Sequence, residues 1–160
     1  MKTSLKWVII FITLSINSLT YAQNTKVKNL VKDYFASLDA GKVQQVESLL
    51  AENFTGAGPF TPQPVEPKTW LMIVSGFNVA FPDMSHQIVD IFSEGKKVAV
   101  RGLFQGTNKG MLMGNSGTGN AVKLGFTTLF TLNKSNQIQS LITEFDNEAF
   151  KAQIAGKQLQ

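Results

Sequence analysis

The apolar residues of the first half of the chain recur at the spacing of amphipathic helices. Between residues 24 and 40 they lie at offsets of 3, 4, 7, 8 and 11 from Val27, the pattern of a helix with one buried face. Gly41 follows at a position that helix C-termini favour. A shorter helical pattern covers residues 43–50, and a third begins at Pro67 and ends before Pro82. The pattern therefore predicts three helices.

After the third helix the apolar residues alternate, as they do in β-strands. Residues 86–94 and 97–105 alternate in this way and are separated by Gly95-Lys96, a pair typical of a hairpin turn. Residues 122–132 and 138–145 alternate as well. Between the second and third helices, glycines and prolines predict a loop with room for one short strand. Helices followed by antiparallel strands predict an α+β fold with its sheet built from residues 86–145.

The first 22 residues follow a pattern of their own. Two lysines precede an apolar run from Trp7 to Leu19, and Ala22 closes the segment with a small side chain. This order is typical of a secretory signal peptide, and the run is shorter than the ~20 residues that a membrane-spanning helix needs. We expect cleavage after Ala22, a single domain over residues 23–160, and an exported, soluble product without stable membrane insertion. An uncleaved membrane anchor is the alternative.

Composition narrows the chemistry that the chain supports. It has 160 residues, no cysteine and one histidine, His86, which excludes disulfide frameworks, thiolate zinc sites, a thiol nucleophile and a multi-histidine metal site. The net charge of +4 falls to +2 without the two leader lysines, so no nucleic-acid partner is expected. The glycine-rich residues 106–120 lack the spacing of a phosphate-binding loop. We expect neither a metal nor a cofactor.

Three segments of the chain carry a resemblance to a known family. Residues 81–84 (FPDM) lead into a strand and are followed by residues 94–101 (EGKKVAVR). Residues 104–107 (FQGT) begin a crossover that ends with residues 118–122 (TGNAV), and the last strand ends in residues 144–146 (EFD). In order and spacing these segments resemble the SnoaL-like polyketide cyclases, or ester cyclases, of the nuclear-transport-factor-two-like superfamily.

The resemblance implies a fold, a type of chemistry and an assembly. The fold is a cone-shaped, curved antiparallel or mixed sheet with about three N-terminal helices packed on its concave face, enclosing a cavity. The chemistry is proton transfer on a small apolar or carbonyl-containing molecule, by an acidic residue and often a histidine, without a cofactor. The assembly is a homodimer formed through the outer face of the sheet.

This chain differs from the family pattern at the usual acid and base positions. Thr128 stands where many relatives have an aspartate or a histidine, and Asn108 replaces the histidine of the crossover. Leu141 lies in the last strand, where relatives often carry Glu-His-Trp. The remaining candidates for catalysis are His86, which opens the first long strand, and Asp146, which follows the last one. A strand-edge histidine and a helix N-cap are the purely structural alternatives for these two residues.

An apolar pocket is expected where the broad face of the third helix crosses the curved sheet. Two functions then remain open: a cofactor-independent cyclase or isomerase acting through His86 or Asp146, and a binding protein that keeps the pocket without the acid and base residues. The residues expected to line the pocket are Trp70, Phe81, Phe104, Met113, Thr128, Leu141 and Thr143.

The pattern of residues 1–22 predicts where the chain is cleaved. Amino-terminal sequencing of the protein from its native host is expected to begin at or within a few residues of Gln23, because signal peptidases cut after small residues such as Ala22. A membrane-retained chain that still begins at Met1 would contradict the signal-peptide hypothesis.

Overall fold

The structure, a computed structural model, describes residues 25–157 of the chain. The predicted leader, residues 1–22, lies outside the described residues. Within them, no helix combines the length and the apolar character needed to cross a bilayer. The elements in chain order are α1 (residues 25–39), α2 (Val43–Leu49), β1 (Leu50–Ala57), α3 (Pro67–Ala80), β2 (Ser85–Glu94), β3 (Lys97–Thr107), β4 (Ala121–Leu132), β5 (Ile138–Phe145) and α4 (Asn147–Ile154).

The five strands form one mixed sheet in the order β1-β5-β4-β3-β2. Strands β2 to β5 pair antiparallel with their neighbours, and β1 pairs parallel with β5. The α+β prediction is confirmed, but the sheet extends beyond residues 86–145, because β1 is an eight-residue strand rather than a short one. A parallel partner far away in sequence leaves no hairpin signal, and β1 lies among prolines and glycines that favour a loop.

Strand β4 divides the sheet into a buried face and an exposed face. Its residues from Val122 to Leu132 alternate between buried and outward-facing positions, as the sequence pattern predicts. Phe126, Thr128 and Phe130 lie on the buried face. Leu129, which lies between the last two, is 53% exposed. The alternation therefore determines which side chains meet the helices.

The helices cover the buried face of the sheet through aromatic side chains. The ring of Phe35 on α1 lies 5.4 Å from that of Phe126 and 5.8 Å from that of Phe130, centroid to centroid. Trp70 on α3 lies 6.1 Å from Phe54 on β1. Phe150 on α4 lies within aromatic contact of four other rings, those of Phe60, Phe77, Phe81 and Phe145. Six of these contacts are tilted and the Phe35–Phe130 contact is edge-on, and ring pairs at these distances stabilise a packed core.

The turn before β2 is held by an exposed carboxylate. Asp83 Oδ1 accepts a hydrogen bond of 2.8 Å from the backbone N–H of Thr107, and Asp83 Oδ2 lies 3.0 Å from Lys109 Nζ. The Thr107 hydrogen bond, with a further contribution from Lys109, holds the pKa of Asp83 well below its usual range. These contacts join the start of β2 to the end of β3.

The long connection between β3 and β4 folds outward around one buried asparagine. Asn108 is 1% exposed, its Oδ1 accepts a hydrogen bond from the backbone N–H of Thr118, and its Nδ2 donates to Gly110 O. Further along, Met113 and Gly114 have φ angles of 49° and 82° and form a tight turn closed by backbone hydrogen bonds between Leu112 and Asn115. The glycine-rich segment is thus a surface loop that is held by its own hydrogen bonds and by those of Lys109 and Gly110 to Ala80 O at the end of α3.

Candidate functional site

A cavity of about 120 Å³ lies between the helices and the buried face of the sheet. Nine of its 20 lining residues are aromatic: Tyr34, Phe35, Phe60, Trp70, Phe77, Phe104, Phe126, Phe145 and Phe150. Only a few polar groups interrupt this apolar wall, among them the His86 ring and the hydroxyls of Thr128 and Thr143. A mostly apolar cavity with a few placed polar groups is typical of a small-molecule site.

The ring of His86 is held by a carboxylate from the end of α1. Asp39 Oδ1 lies 2.5 Å from His86 Nδ1, and Asp39 Oδ2 accepts a hydrogen bond of 2.9 Å from the backbone N–H of His86. The two side chains are mostly shielded, with 14% of His86 and 26% of Asp39 exposed. Both carboxylate oxygens of Asp39 therefore bond to the same residue and set its orientation.

The pairing with Asp39 has a consequence for the second ring nitrogen of His86. An ionised carboxylate only accepts hydrogen bonds, so Nδ1 carries the proton and Nε2 of the neutral ring is left as an acceptor. Across residues 25–157, no side chain or backbone group hydrogen-bonds to Nε2. The ring is packed among Phe35, Phe104 and Phe126. This arrangement suits a group that accepts a proton from a ligand in the cavity.

Sequence reasoning did not identify Asp39 as a functional residue. It is the last residue of α1, where the helix dipole disfavours a negative charge. An acidic residue at a helix C-terminus is therefore a signal that its side chain has a partner elsewhere. That signal does not identify the partner, which is 47 positions away in the chain.

Two threonine hydroxyls meet on the sheet side of the cavity. Thr128 on β4 and Thr143 on β5 are cross-strand partners, and their Oγ1 atoms lie 2.9 Å apart. This contact uses one of the two hydroxyl hydrogens, so the pair retains one O–H donor. A ligand oxygen is the acceptor that such a donor would take inside an apolar cavity.

Tyr34 on α1 and Trp70 on α3 form a second polar contact in the wall. Trp70 Nε1 donates a hydrogen bond of 3.0 Å to Tyr34 Oη. Burial raises the pKa of Tyr34 above its usual range, and the hydrogen bond from Trp70 only partly opposes this. Tyr34 is therefore a neutral phenol at all physiological pH values. Its place in the apolar stripe of the first helix gave no indication of a polar role.

The Trp70 ring occupies the space that Gly56 leaves open on β1. A Cβ atom at residue 56 would lie 2.5 Å from Trp70 Cε3, closer than any real contact of this kind. The indole packs closely against β1 at Gly56, and its Nε1 hydrogen-bonds to Tyr34. Glycine is thus required at residue 56 by close approach and not by its backbone angles.

The structure brings together five of the nine residues that the sequence analysis selected. His86, Trp70, Phe104, Thr128 and Thr143 line the cavity. The other four lie elsewhere. Phe81 is fully buried behind the wall, with its ring 5.5 Å from that of Phe104. Leu141 is buried opposite Phe130.

Met113 and Asp146 also lie away from the cavity. Met113 is 63% exposed, because it stands at the tip of the tight turn in the 108–120 loop. Asp146 Oδ1 accepts a hydrogen bond of 2.8 Å from the backbone N–H of Ala149 and caps α4, which is the structural alternative that the sequence analysis left open for this residue. Neither side chain is placed to contact a ligand in the cavity.

The described residues offer no arrangement for a metal ion. Between residues 25 and 157, no three or more His, Asp or Glu side chains come together as a group that could hold one. The polar groups of the cavity are one imidazole, hydroxyls and an indole N–H. These groups are suited to moving a proton and to hydrogen-bonding an uncharged or anionic oxygen.

Comparison with known proteins identifies the same fold in other chains. The family model described as SnoaL-like polyketide cyclase matches residues 28–154. A structure assigned as a SnoaL-like polyketide cyclase from Jannaschia sp. CCS1 has a TM-score of 0.77 and 19% identity, covering 85% of this chain and 96% of its own. A search among curated protein sequences finds no significant match.

Two further solved structures are similar in fold. IdmH from Streptomyces antibioticus, assigned as a polyketide cyclase, has a TM-score of 0.70 and 21% identity, covering 81% of this chain and 98% of its own. AclR from Streptomyces galilaeus, assigned as a hydroxylase, has a TM-score of 0.74 and 15% identity, covering 85% of each chain. Because their assigned reactions differ, the fold alone does not define the chemistry.

The close approach of Gly56 and Trp70 predicts the effect of adding one methyl group. Gly56→Ala is expected to lower the free energy of unfolding by about 1–3 kcal/mol, because the indole must move away from β1. The measurement is urea denaturation followed by far-UV circular dichroism.

Gly76→Ala is the matched control, since a Cβ at this exposed position of α3 meets nothing within 4 Å. It is expected to stabilise the protein by about 0.5–1 kcal/mol. Equal stability of Gly56→Ala and the wild type would contradict the placement of Trp70.

Proposed function

Because the chain belongs to the SnoaL-like polyketide cyclase family, we propose that it is a cofactor-independent cyclase or isomerase that moves a proton on a small carbonyl compound. The observation that carries this proposal is the Asp39–His86 pair on the cavity wall, in which Nδ1 is held by the carboxylate and Nε2 has no partner within residues 25–157. His86 is the base in this proposal, and Asp39 is a positioning residue.

The proposed reaction uses only groups of the cavity. His86 Nε2 takes a proton from the carbon next to the substrate carbonyl, and the electron pair of the C–H bond moves into an enolate. The free hydroxyl hydrogen of the Thr128–Thr143 pair orients the substrate oxygen. In an isomerase, the His86 imidazolium returns the proton to another carbon. In a cyclase, the enolate carbon attacks a second carbonyl of the same molecule, and the resulting alkoxide takes the proton.

The cavity volume limits the part of the substrate that it encloses. An engineered apolar cavity of about 150 Å³ holds a benzene molecule, and this cavity has about 120 Å³. The cavity is thus similar in size to, and somewhat smaller than, one that encloses a single six-membered ring. The aromatic lining favours a planar or apolar ring.

A proton-exchange experiment tests the base directly. Acetophenone has one ring and exchangeable protons next to its carbonyl, and NMR in heavy water follows the loss of its methyl signal. The wild type is expected to accelerate this exchange. His86→Gln and Asp39→Asn are each expected to lower the enzymatic rate by about 10²-fold or more, because the first removes the base and the second frees its ring.

The matched control is Asp90→Asn, the same change in a carboxylate that pairs with Arg101 on the exposed face of the sheet. It is expected to leave the exchange rate unchanged. An exchange rate that survives His86→Gln would exclude this histidine as the base.

A binding function is the second candidate, and the apolar wall supports it. With aromatic rings forming much of the lining, the cavity is suited to hold an apolar ligand without reacting with it. In that case no exchange is observed, ligand affinity does not depend on His86, and Trp70→Ala or Thr128→Val weakens binding.

The proposal includes export of the protein and removal of its leader. The leader pattern of residues 1–22 supports a secreted or periplasmic product that consists of one domain, residues 23–160. A substrate from outside the cytoplasm is consistent with that location.

The outer face of the sheet supports a homodimer as the proposed assembly. Phe92, Ala99, Leu129 and Ile142 are successive cross-strand neighbours on β2, β3, β4 and β5. Phe92 is 66% exposed and Ile142 is 48% exposed. A continuous apolar row across four strands is typical of a surface that another chain covers.

Light scattering coupled to gel filtration tests this assembly. The wild type is expected to elute with twice the chain mass, and Leu129→Glu with the mass of one chain, because a buried unpaired carboxylate opposes association. Met72→Glu is the matched control, since Met72 is equally apolar and 67% exposed but lies on α3. It is expected to remain dimeric. A monomeric wild type would rule the assembly out.

A further inference from the structure

One buried hydroxyl in the cavity wall has a donor that the protein does not use. Tyr34 is 2% exposed, and its Oη lies 3.0 Å from Trp70 Nε1. An indole N–H can only donate, so Tyr34 Oη must be the acceptor in this hydrogen bond. The phenol hydrogen therefore remains available, and residues 25–157 provide no acceptor for it.

The surroundings of Tyr34 hold the ring in one position. Phe35 and Phe130 lie edge-on to it, each with its centroid 5.5 Å from that of Tyr34. Trp70 is itself fixed against Gly56. A buried donor without an acceptor is unfavourable. A ligand oxygen in the adjoining cavity would remove that cost without any movement of the wall.

We propose that Tyr34 is a catalytic residue that donates its phenol hydrogen to the carbonyl oxygen of the substrate, and that this hydrogen bond strengthens as the oxygen becomes an enolate. The assignment rests on the proposed function, because it requires a substrate that gains negative charge on oxygen. Hydrogen bonds to charged oxygens are stronger than those to neutral ones, so the effect is larger in the transition state than in the ground state.

Two further features suit Tyr34 to this role. Its raised pKa, caused by burial, keeps the phenol protonated and uncharged. Tyr34 also lies on the same helix as Asp39, with Phe35 of that helix in contact with the His86 ring. The donor and the group that orients the base are therefore carried by one rigid element.

A donor at Tyr34 would bind one-ring compounds that carry an anionic oxygen. Phenolates are stable compounds of this class and serve as analogues of the enolate. The probe is 4-nitrophenol at a pH at which it is ionised. Nitrobenzene is its neutral counterpart, which has the same ring and nitro group but lacks the phenolate oxygen. Binding of 4-nitrophenolate is followed by the change of its visible absorbance, and binding of nitrobenzene by calorimetry.

The wild type is expected to bind 4-nitrophenolate more tightly than nitrobenzene. Tyr34→Phe removes one oxygen atom and is expected to weaken phenolate binding by about 10- to 100-fold, with nitrobenzene binding unchanged. The acetophenone exchange rate is expected to fall by about 10²–10³-fold in the same variant.

A second variant keeps the test possible if Tyr34→Phe does not fold. Tyr34→Phe leaves the Trp70 N–H without its acceptor, whereas Tyr34→Phe with Trp70→Phe removes both partners. Circular dichroism identifies the variant that is folded, and either one is expected to lose the preference for phenolate over nitrobenzene. Wild-type phenolate affinity in a folded variant without Tyr34 would overturn the proposal.

The His86→Gln variant separates this inference from the proposed function. It retains Tyr34 and is expected to keep the preference for phenolate while it loses proton exchange. If the wild type shows no proton exchange but Tyr34→Phe still loses the phenolate preference, the donor assignment stands and the enzymatic function fails. If proton exchange depends on His86 but not on Tyr34, the donor assignment fails alone.

Discussion

The packing of α1 on the buried face of β4 is the interaction on which the candidate site depends. Phe35 rests on Phe126 and Phe130, and this contact fixes both the rotation and the height of the helix above the sheet. With α1 held in this position, Tyr34 lines the cavity and Asp39 contacts His86. Large aromatic contacts provide this precision because their shapes allow few alternative arrangements.

The same aromatic packing explains why a cavity remains inside so small a protein. Flat, rigid rings on the helices and the sheet leave a gap between them, and rings of the wall are held by others behind them, as Phe104 is by Phe81. The polar groups of the wall come in pairs, which lowers the cost of burying them. Each pair retains one hydrogen-bonding group for which residues 25–157 provide no partner.

The resemblance to the family implies that single positions of this chain have lost titratable side chains. Thr128 and Leu141 are the residues that the sequence analysis assigned to such positions, and neither side chain can act as a base. The proposed base, His86, lies in another place, where the end of α1 meets the start of β2. Neighbours of the same fold are assigned as cyclases and as a hydroxylase, so the reaction follows from such local pairs and not from the architecture.

Local patterns in the sequence were enough to predict most of the fold. Three helices, the hairpin at Gly95-Lys96 and the alternation of β4 depend on residues near one another in the chain, and all are present. Strand β1 was underestimated because its partner β5 begins 88 positions after it. Parallel pairing at that distance has no local signature.

The candidate site likewise contains features that the sequence predicts and features that depend on residues far apart in the chain. His86, Trp70, Phe104, Thr128 and Thr143 could be selected from the sequence. The first three are a histidine and two aromatic residues in predicted elements, and the two threonines are polar residues in otherwise apolar strands. The pairs Asp39–His86 and Tyr34–Trp70 could not, because they join side chains 47 and 36 positions apart. Within the predicted helices and strands, periodicity in the sequence was enough to indicate which face is buried, as the alternation of β4 shows. Only the tertiary structure decided which buried polar atoms meet, because that depends on helix placement to within an ångström.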